Sequence, residues 1–390
     1  MLIAGAEAEA ALKAAARAGI DLSWGDDGAD LADAVFEDRG LGPILLSRYE
    51  IANGLGMPTQ TYPAIEHALR ARWGLSREQW RVRISELWAT FSGVAAANPH
   101  SAFPTARSSA WLATASAENY PVSDPHLKWH VAQDAVNQGA AVVMMAAGEA
   151  ARLGIDPDRW VHLHGYAAAS DSVITRRPDL SRSRAIELTL DRALAAAGKR
   201  SADIAHFDIY SCFPCVVLLA AEALGIDWRE TALTVTGGLS FFGGPGNDYS
   251  LHAIATMAER LRADPGSFGL VLANGGFISK EAVGVYSTVP KSGWAPVPSD
   301  DAQAAIDGET GPPLLEQDCV GTIATYGVAF AKGAPERGYV IADADGGGRV
   351  LARIARGDSA IVSALIDSDP VGRRVTIVHE GGINIIKALD

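Results

Sequence analysis

Two cysteines, Cys212 and Cys215, sit at a strand-to-helix junction. The apolar run Phe207-Asp208-Ile209-Tyr210 leads into Cys-Phe-Pro-Cys, and a helical pattern from Val216 to Leu224 follows. Strand ends that feed helix starts collect chemistry in α/β proteins, because free backbone N–H groups and the helix dipole face the ligand there. The two thiols allow three readings. They suit a thioredoxin-like redox pair, with a thiolate stabilised by the helix start. Cys212 alone suits an acid/base group lining a site. Either suits a small buried apolar side chain.

Further along, Leu233 to Thr236 reads as a strand that ends in Gly237-Gly238. A second glycine turn, Gly243-Gly244-Pro245-Gly246, opens a helix predicted from Asn247 to Leu261. These glycines permit positive φ and close backbone approach. With the helix start they suit a phosphate or an oxyanion, but their spacing fits neither a dinucleotide fingerprint nor a P-loop. Tight strand–helix packing explains them equally well. Asn274-Gly275-Gly276 turns between two predicted strands, Gly269 to Ala273 and Val283 to Ser287, and offers an amide at a third strand end. His162 and His164 alternate on a predicted strand, Val161 to Tyr166, so both should face one side. Spacing supplies no third ligand, so no metal is expected.

The elements that position these residues follow from pattern. Leu2 to Ala6 is a strand and a helix follows it. Residues 21 to 60 are polar and turn-rich. A helix is predicted to begin near Pro63. In the next, Ser76 and Gln79 form a capping box, and Trp80, Ile84, Leu87, Trp88 and Phe91 mark a packed helix face. Residues 93 to 125 break at prolines. After a helix, the run Ala140 to Met145 returns to the sheet, and a further helix ends before Gly154. Ser181 to Ala197 is helical. Alternation of strands and helices makes the fold class layered α/β. Beyond Pro298, the runs at 320–324, 338–341, 350–354, 360–365 and 374–378 read as short strands of a small all-β, barrel-like domain.

With 390 residues and a net charge of −13, the chain has room for a sizeable core. The charge argues against a nucleic-acid partner and against a polybasic membrane patch. Three cysteines in all point to a reducing, cytoplasmic setting. No run reaches the length of a membrane span.

Several ordered stretches resemble the thiolase superfamily, within it the sterol-carrier-type (acetyl-CoA acetyltransferase-like) group. They are LIAGAEAEA from Leu2, NQGAAVVM from Asn137, DIYSCFP from Asp208, TVTGGLSFFGGPGNDYSLHAIATM from Thr234 and ANGGFISKEAVGVYST from Ala273. The resemblance covers residues 1 to about 290. It implies an incomplete N-terminal thiolase half over 1–160, a loop domain over about 40–130 covering coenzyme A, a C-terminal half over 161–292, and a small OB-like domain over 299–390. It also implies an acyl-CoA or CoA thioester as substrate or ligand, with no further cofactor. The family's nucleophilic cysteine would precede Met1. Its GHP histidine falls on Gly244, its CxG cysteine on Asn274, and its HDCF motif on Tyr210-Ser211-Cys212-Phe213. The implied working residues are therefore Cys212, Asn274 and Tyr210, with Gly243, Gly244, Gly246, Asn247, His252, Gly275 and Gly276 against the ligand. Losing nucleophile and histidine implies impaired or partner-dependent acyl transfer. The partner is a protein supplying the missing portion, or another copy of the chain. The alternative is a non-catalytic acyl-CoA or lipid binder.

Overall fold

A computed structural model describes residues 1–22, 45–298 and 300–390. Part of the turn-rich stretch read at 21–60 therefore lies outside the described residues. The chain opens with β1 (Leu2–Glu7) and α1 (Glu9–Ala18), followed by α2 (Arg48–Ala52), α3 (Pro58–Arg72), α4 (Arg77–Ala97) and α5 (Ser109–Ala113). Short strands β2 (Pro121–Ser123) and β3 (His126–Leu127) come next, then β4 (Gln138–Val143) and α6 (Ala147–Arg152). The run into β4 is a loop after a single 3-10 turn, Lys128–His130, not the predicted helix.

The main sheet is built from β5 (His162–Ser170), β6 (His206–Ile209), β7 (Phe268–Gly275) and β8 (Lys280–Ser287), in the order β5-β8-β7-β6. β6 and β7 run parallel and the other pairs antiparallel. Helices α7 (Arg184–Ala197), α8 (Pro214–Leu224) and α9 (Tyr249–Ala263) cover it. α7 lies on β5 and β8. α9 packs between β7 and the antiparallel ribbon β1–β4, giving a layered α/β body. The approach of α9 is close: a Cβ on Gly269 would meet Met257 Sδ at 2.2 Å.

α3 starts at Pro58, five residues before the expected start, and carries Pro63 inside it. Both prolines are legal first-turn signals, and Gln60 Oε1 settles the choice by accepting the N–H of Met57 at 3.1 Å. α4 has the expected box, with Gln79 Oε1 accepting from Ser76 N at 2.9 Å and Ser76 Oγ from Gln79 N at 3.2 Å. Its Trp80, Ile84, Leu87, Trp88 and Phe91 are buried, and both indole N–H groups are satisfied, by Glu66 and Ser240.

Two predicted strands fail for local reasons. Leu233 to Thr236 is not a strand, because the N–H groups of Val235 and Thr236 donate to Asp208 Oδ2 at 2.9 and 3.0 Å. The run 360–365 is the helix α11 (Ser359–Asp367), whose N-cap Asp358 accepts from Ile361 N at 3.1 Å. A side-chain cap here outweighs β-branched propensity.

α10 (Asp300–Asp307) leads to the C-terminal unit. Strands β9 (Cys319–Ala331), β10 (Ala334–Ala344), β11 (Arg349–Arg353), β12 (Arg374–Glu380) and β13 (Ile383–Leu389) pair in the circuit β9-β10-β11-β13-β12-β9, which closes a barrel. β11 and β13 run parallel. The barrel rests on α3: Thr325 Oγ1 donates to the Ala64 carbonyl, and the His67 ring stacks on Tyr326 at 4.0 Å. Arg70, 1% exposed, forks onto Asp369 at 2.6 and 2.8 Å.

Candidate functional site

α8 begins under Cys212. Phe213 is its N-cap and Pro214 fills the first turn, where a missing N–H costs nothing. The N-terminus is held by a buried carboxylate from α3: Glu66 Oε2 accepts the Cys215 N–H at 3.1 Å and lies 3.2 Å from His126 Nε2, while Oε1 accepts from Trp80 Nε1 at 2.8 Å. Burial would push the Glu66 carboxyl up, but these partners outweigh it and hold it below the usual carboxylate range.

One turn earlier on α3, Tyr62 reaches the same junction. Cys212 Sγ donates to Tyr62 Oη at 3.4 Å, and Asn274 Nδ2 donates to Tyr62 Oη at 2.9 Å and to Cys212 Sγ at 3.4 Å. Tyr62 Oη in turn donates to the Gly276 carbonyl at 3.3 Å. Its ring stacks on Phe213 at 4.1 Å. Burial pushes the Cys212 thiol up to about 12, against the opposing effect of its hydrogen bond with Tyr62. Cys212 is therefore a thiol at neutral pH, suited to giving a proton and not to attack as a thiolate. Cys215 is fully buried in α8 and is also pushed up by burial. The two cysteines are free, and neither has the lowered pKa a redox pair needs.

The structure thus brings together Cys212, Asn274 and Gly276, with Gly275 beside them at the end of β7. Gly276 has φ +64, and a Cβ there would meet Leu45 Cδ2 at 2.6 Å. Tyr210 stands at the same strand end, where its ring packs edge-on to Tyr249 at 5.3 Å and burial pushes its hydroxyl up. The glycine turn sits elsewhere in the packing. Gly243 and Gly244 are buried; the Gly244 N–H donates to Gln133 O at 2.8 Å, and a Cβ on Gly244 would meet Ala132 Cβ and Gln133 O at 3.3 Å. Gly246 and Asn247 are exposed. Helix α9 starts at Tyr249, two residues beyond the expected Asn247. His252 pairs with Asp248 at 3.1 Å and lies against Phe242. His162 and His164 do not act as a pair. The β5 register shifts between Leu163 and Gly165, Trp160 packs on His162, and His164 Nε2 meets Val289 O at 2.7 Å.

Sequence reasoning missed Tyr62, Glu66 and Glu281. Tyr62 and Glu66 are one turn apart on a helix with no motif, so only their spacing carried a signal.

The loop 131–133 ties this site to an open cleft. Ala132 N donates to Cys212 O at 3.1 Å, and Gln133 N to Leu239 O at 3.1 Å. On the other side of that loop, Lys13, Arg17, Arg107, Lys128, Tyr120 and Trp129 line a cleft of about 670 Å³. Arg107 lies over Trp111 at 3.9 Å and over Trp129 at 4.6 Å. The lining carries four cations, one of which, Lys13, pairs with Asp134 of the same cleft at 2.9 Å, beside the aromatic faces of Tyr120 and Trp129.

The ribbon β1–β4 presents apolar side chains to solvent, with Leu2 67% and Val143 66% exposed. Among the described residues no helix is long and apolar enough to cross a membrane.

No family model and no curated protein matches the sequence. Solved structures do. A monomeric SCP2-thiolase-like protein type 1 from Mycobacterium smegmatis is 39% identical, with a TM-score of 0.83 over 88% of this chain and 75% of that one. The dimeric peroxisomal thiolase of Saccharomyces cerevisiae is 16% identical, with a TM-score of 0.48 over 73% of this chain and 68% of that one. The assignment rests on the first alone: with 39% identity over 88% of its length to one such protein, the chain belongs to the SCP2-thiolase-like, sterol-carrier-type group of the thiolase superfamily.

Proposed function

We propose that this protein binds an acyl-CoA thioester, with Cys212 as the proton-holding group of the site and not as its nucleophile. The observation that carries the reading is the set of hydrogen bonds among Cys212, Tyr62 and Asn274, in a site where burial keeps the thiol protonated. A protonated cysteine beside an amide donor suits protonation of a carbonyl oxygen or an enolate. The basic cleft behind loop 131–133 suits the phosphates and the base of coenzyme A. Acyl transfer then needs a nucleophile from outside this triad. In our reading a second polypeptide supplies it, seated on the exposed apolar β1–β4 ribbon. The OB-like barrel steadies α3 and so steadies Tyr62 and Glu66.

A second reading, a binder without catalysis, is favoured by the turn at Gly243-Gly244. Ala132 and Gln133 close on Gly244 so tightly that no histidine side chain fits there without a shift.

Incubation with acetyl-CoA followed by mass spectrometry separates the options. We expect no acyl adduct on Cys212 and no turnover by the chain alone. An acyl-Cys212 adduct, or transfer without a partner, would refute the assignment of Cys212.

A further inference from the structure

Asn274 and Glu281 are cross-strand partners in the β7–β8 hairpin, so their side chains leave the same face of the sheet. That face carries the Cys212–Tyr62–Asn274 triad. Both residues are deeply buried, at 7% and 2% exposed. Among the described residues, Asn274 uses its Nδ2 on Tyr62 and Cys212, while its Oδ1 has no partner, and neither Glu281 carboxyl oxygen has one. Buried polar atoms without partners are costly, and these two sets are complementary. A protonated carboxyl group has one O–H to give, and an amide oxygen is an acceptor.

We propose that Glu281 is a positioning residue of this site, donating its carboxyl proton to Asn274 Oδ1 and so fixing the carboxamide with Nδ2 turned toward Cys212 and Tyr62. The proposal rests on the reading of Cys212 as the proton-holding group. Without such a donor, the near-symmetric amide of Asn274 can turn over and present its oxygen to the thiol. The groups around Glu281 agree with a neutral carboxyl. Asp171 and Arg177 face it from the β5–α7 connection, with opposite charges, and Cys212 and Tyr210 face it from the end of β6. Burial and Asp171 push the Glu281 carboxyl well up, and Arg177 only partly offsets them. Arg177 directs its Nε to the Ser172 carbonyl at 2.9 Å and its Nη2 to the carbonyls of Phe277 and Ile278 at 3.0 and 2.6 Å, while its buried Nη1 has no partner among the described residues.

The test is the pH profile of Cys212 alkylation by iodoacetamide in the intact chain, with the Cys212 peptide read by mass spectrometry. Glu281→Gln keeps a donor, and Glu281→Leu removes it. At neutral pH, E281Q should match the wild type and E281L should react about fivefold more slowly, the effect of one lost hydrogen bond to the thiolate. In alkaline buffer the wild-type carboxyl ionises and opposes the thiolate, so E281Q should pull ahead of the wild type. Identical profiles for wild type and E281Q, or E281Q behaving like E281L, would overturn the proposal. If E281L does not fold, the wild-type and E281Q pair decides alone. Calorimetry with coenzyme A on the same proteins keeps the two claims apart. Coupling lost with binding intact removes only the role of Glu281, and binding lost with coupling intact removes only the acyl-CoA reading.

Discussion

Tyr62 Oη and Cys212 Sγ lie 3.4 Å apart across 150 positions of sequence. The hydroxyl accepts from the thiol and from Asn274 and donates to Gly276, so one side chain of α3 organises the ends of β6 and β7. Tyr62→Phe removes the acceptor and keeps the ring stack on Phe213. We expect a loss of about 1 kcal/mol in urea unfolding, with an unchanged m-value. We also expect slower alkylation of Cys212, because once the thiol ionises the Tyr62 hydroxyl can turn from Gly276 and donate to the sulfur, a bond that opposes the rise of the thiol pKa.

Glu66 should matter more for stability. Glu66→Ala strips acceptors from the indole of Trp80 and from the Cys215 N–H, both buried. Two orphaned donors cost about 1–3 kcal/mol each. Urea unfolding should show a loss of about 3 kcal/mol or more, and hydrogen exchange should rise first at the start of α8.

Some of this was legible in the sequence. Cys-Phe-Pro-Cys at a strand end fixes Cys212 at the mouth of α8, and Asn274-Gly275-Gly276 places the amide at the end of β7, because both are local. The box at Ser76 and Gln79 is local too. The long-range choices were not legible. Nothing near Thr234 announces that Asp208 will take the N–H groups of Val235 and Thr236. Nothing near Tyr62 announces the thiol, and nothing near Glu281 announces that the register will put it opposite Asn274. The glycines at 243 and 244 are expected from the sequence to lie against a ligand; in the fold a Cβ on Gly243 would meet Gln138 Oε1 at 2.4 Å, and one on Gly244 would meet Ala132 and Gln133 at 3.3 Å, contacts that no local pattern announces.

Acid should loosen the barrel from the body. Asp124 is buried, a cost outweighed by hydrogen bonds and charge from His67, Tyr326 and Arg77, so its carboxyl is held well below the ordinary range. Burial also opposes ionisation of Asp369, and Arg70 outweighs it and lowers that carboxyl as well. A carboxyl depressed in the folded state stabilises above its unfolded pKa, near 3.9, and that contribution is lost as pH falls through the folded value. Burial likewise lowers His67 and His130, so the unfolded chain takes up their protons first, from about pH 6.5 downward. Both effects have one sign. Stability should decline from about pH 6.5 and fall more steeply below about pH 4, by up to ~1.4 kcal/mol per pH unit for each proton. Urea midpoints across that range check it; a flat profile would count against these networks.

The cleft should be electrostatic in character. Arg107→Ala combined with Lys128→Ala removes two of its four cations. We expect coenzyme A to bind about tenfold more weakly, ~1.4 kcal/mol, and the salt dependence of binding to flatten. Equal weakening at all salt concentrations would point to lost packing on Trp129.

The most direct measurement of the central claim is a calorimetric titration of the wild-type chain with coenzyme A and with acetyl-CoA. The account predicts saturable binding of both, competed by each other and weakened by salt. Absence of heat and of competition up to millimolar ligand would contradict it.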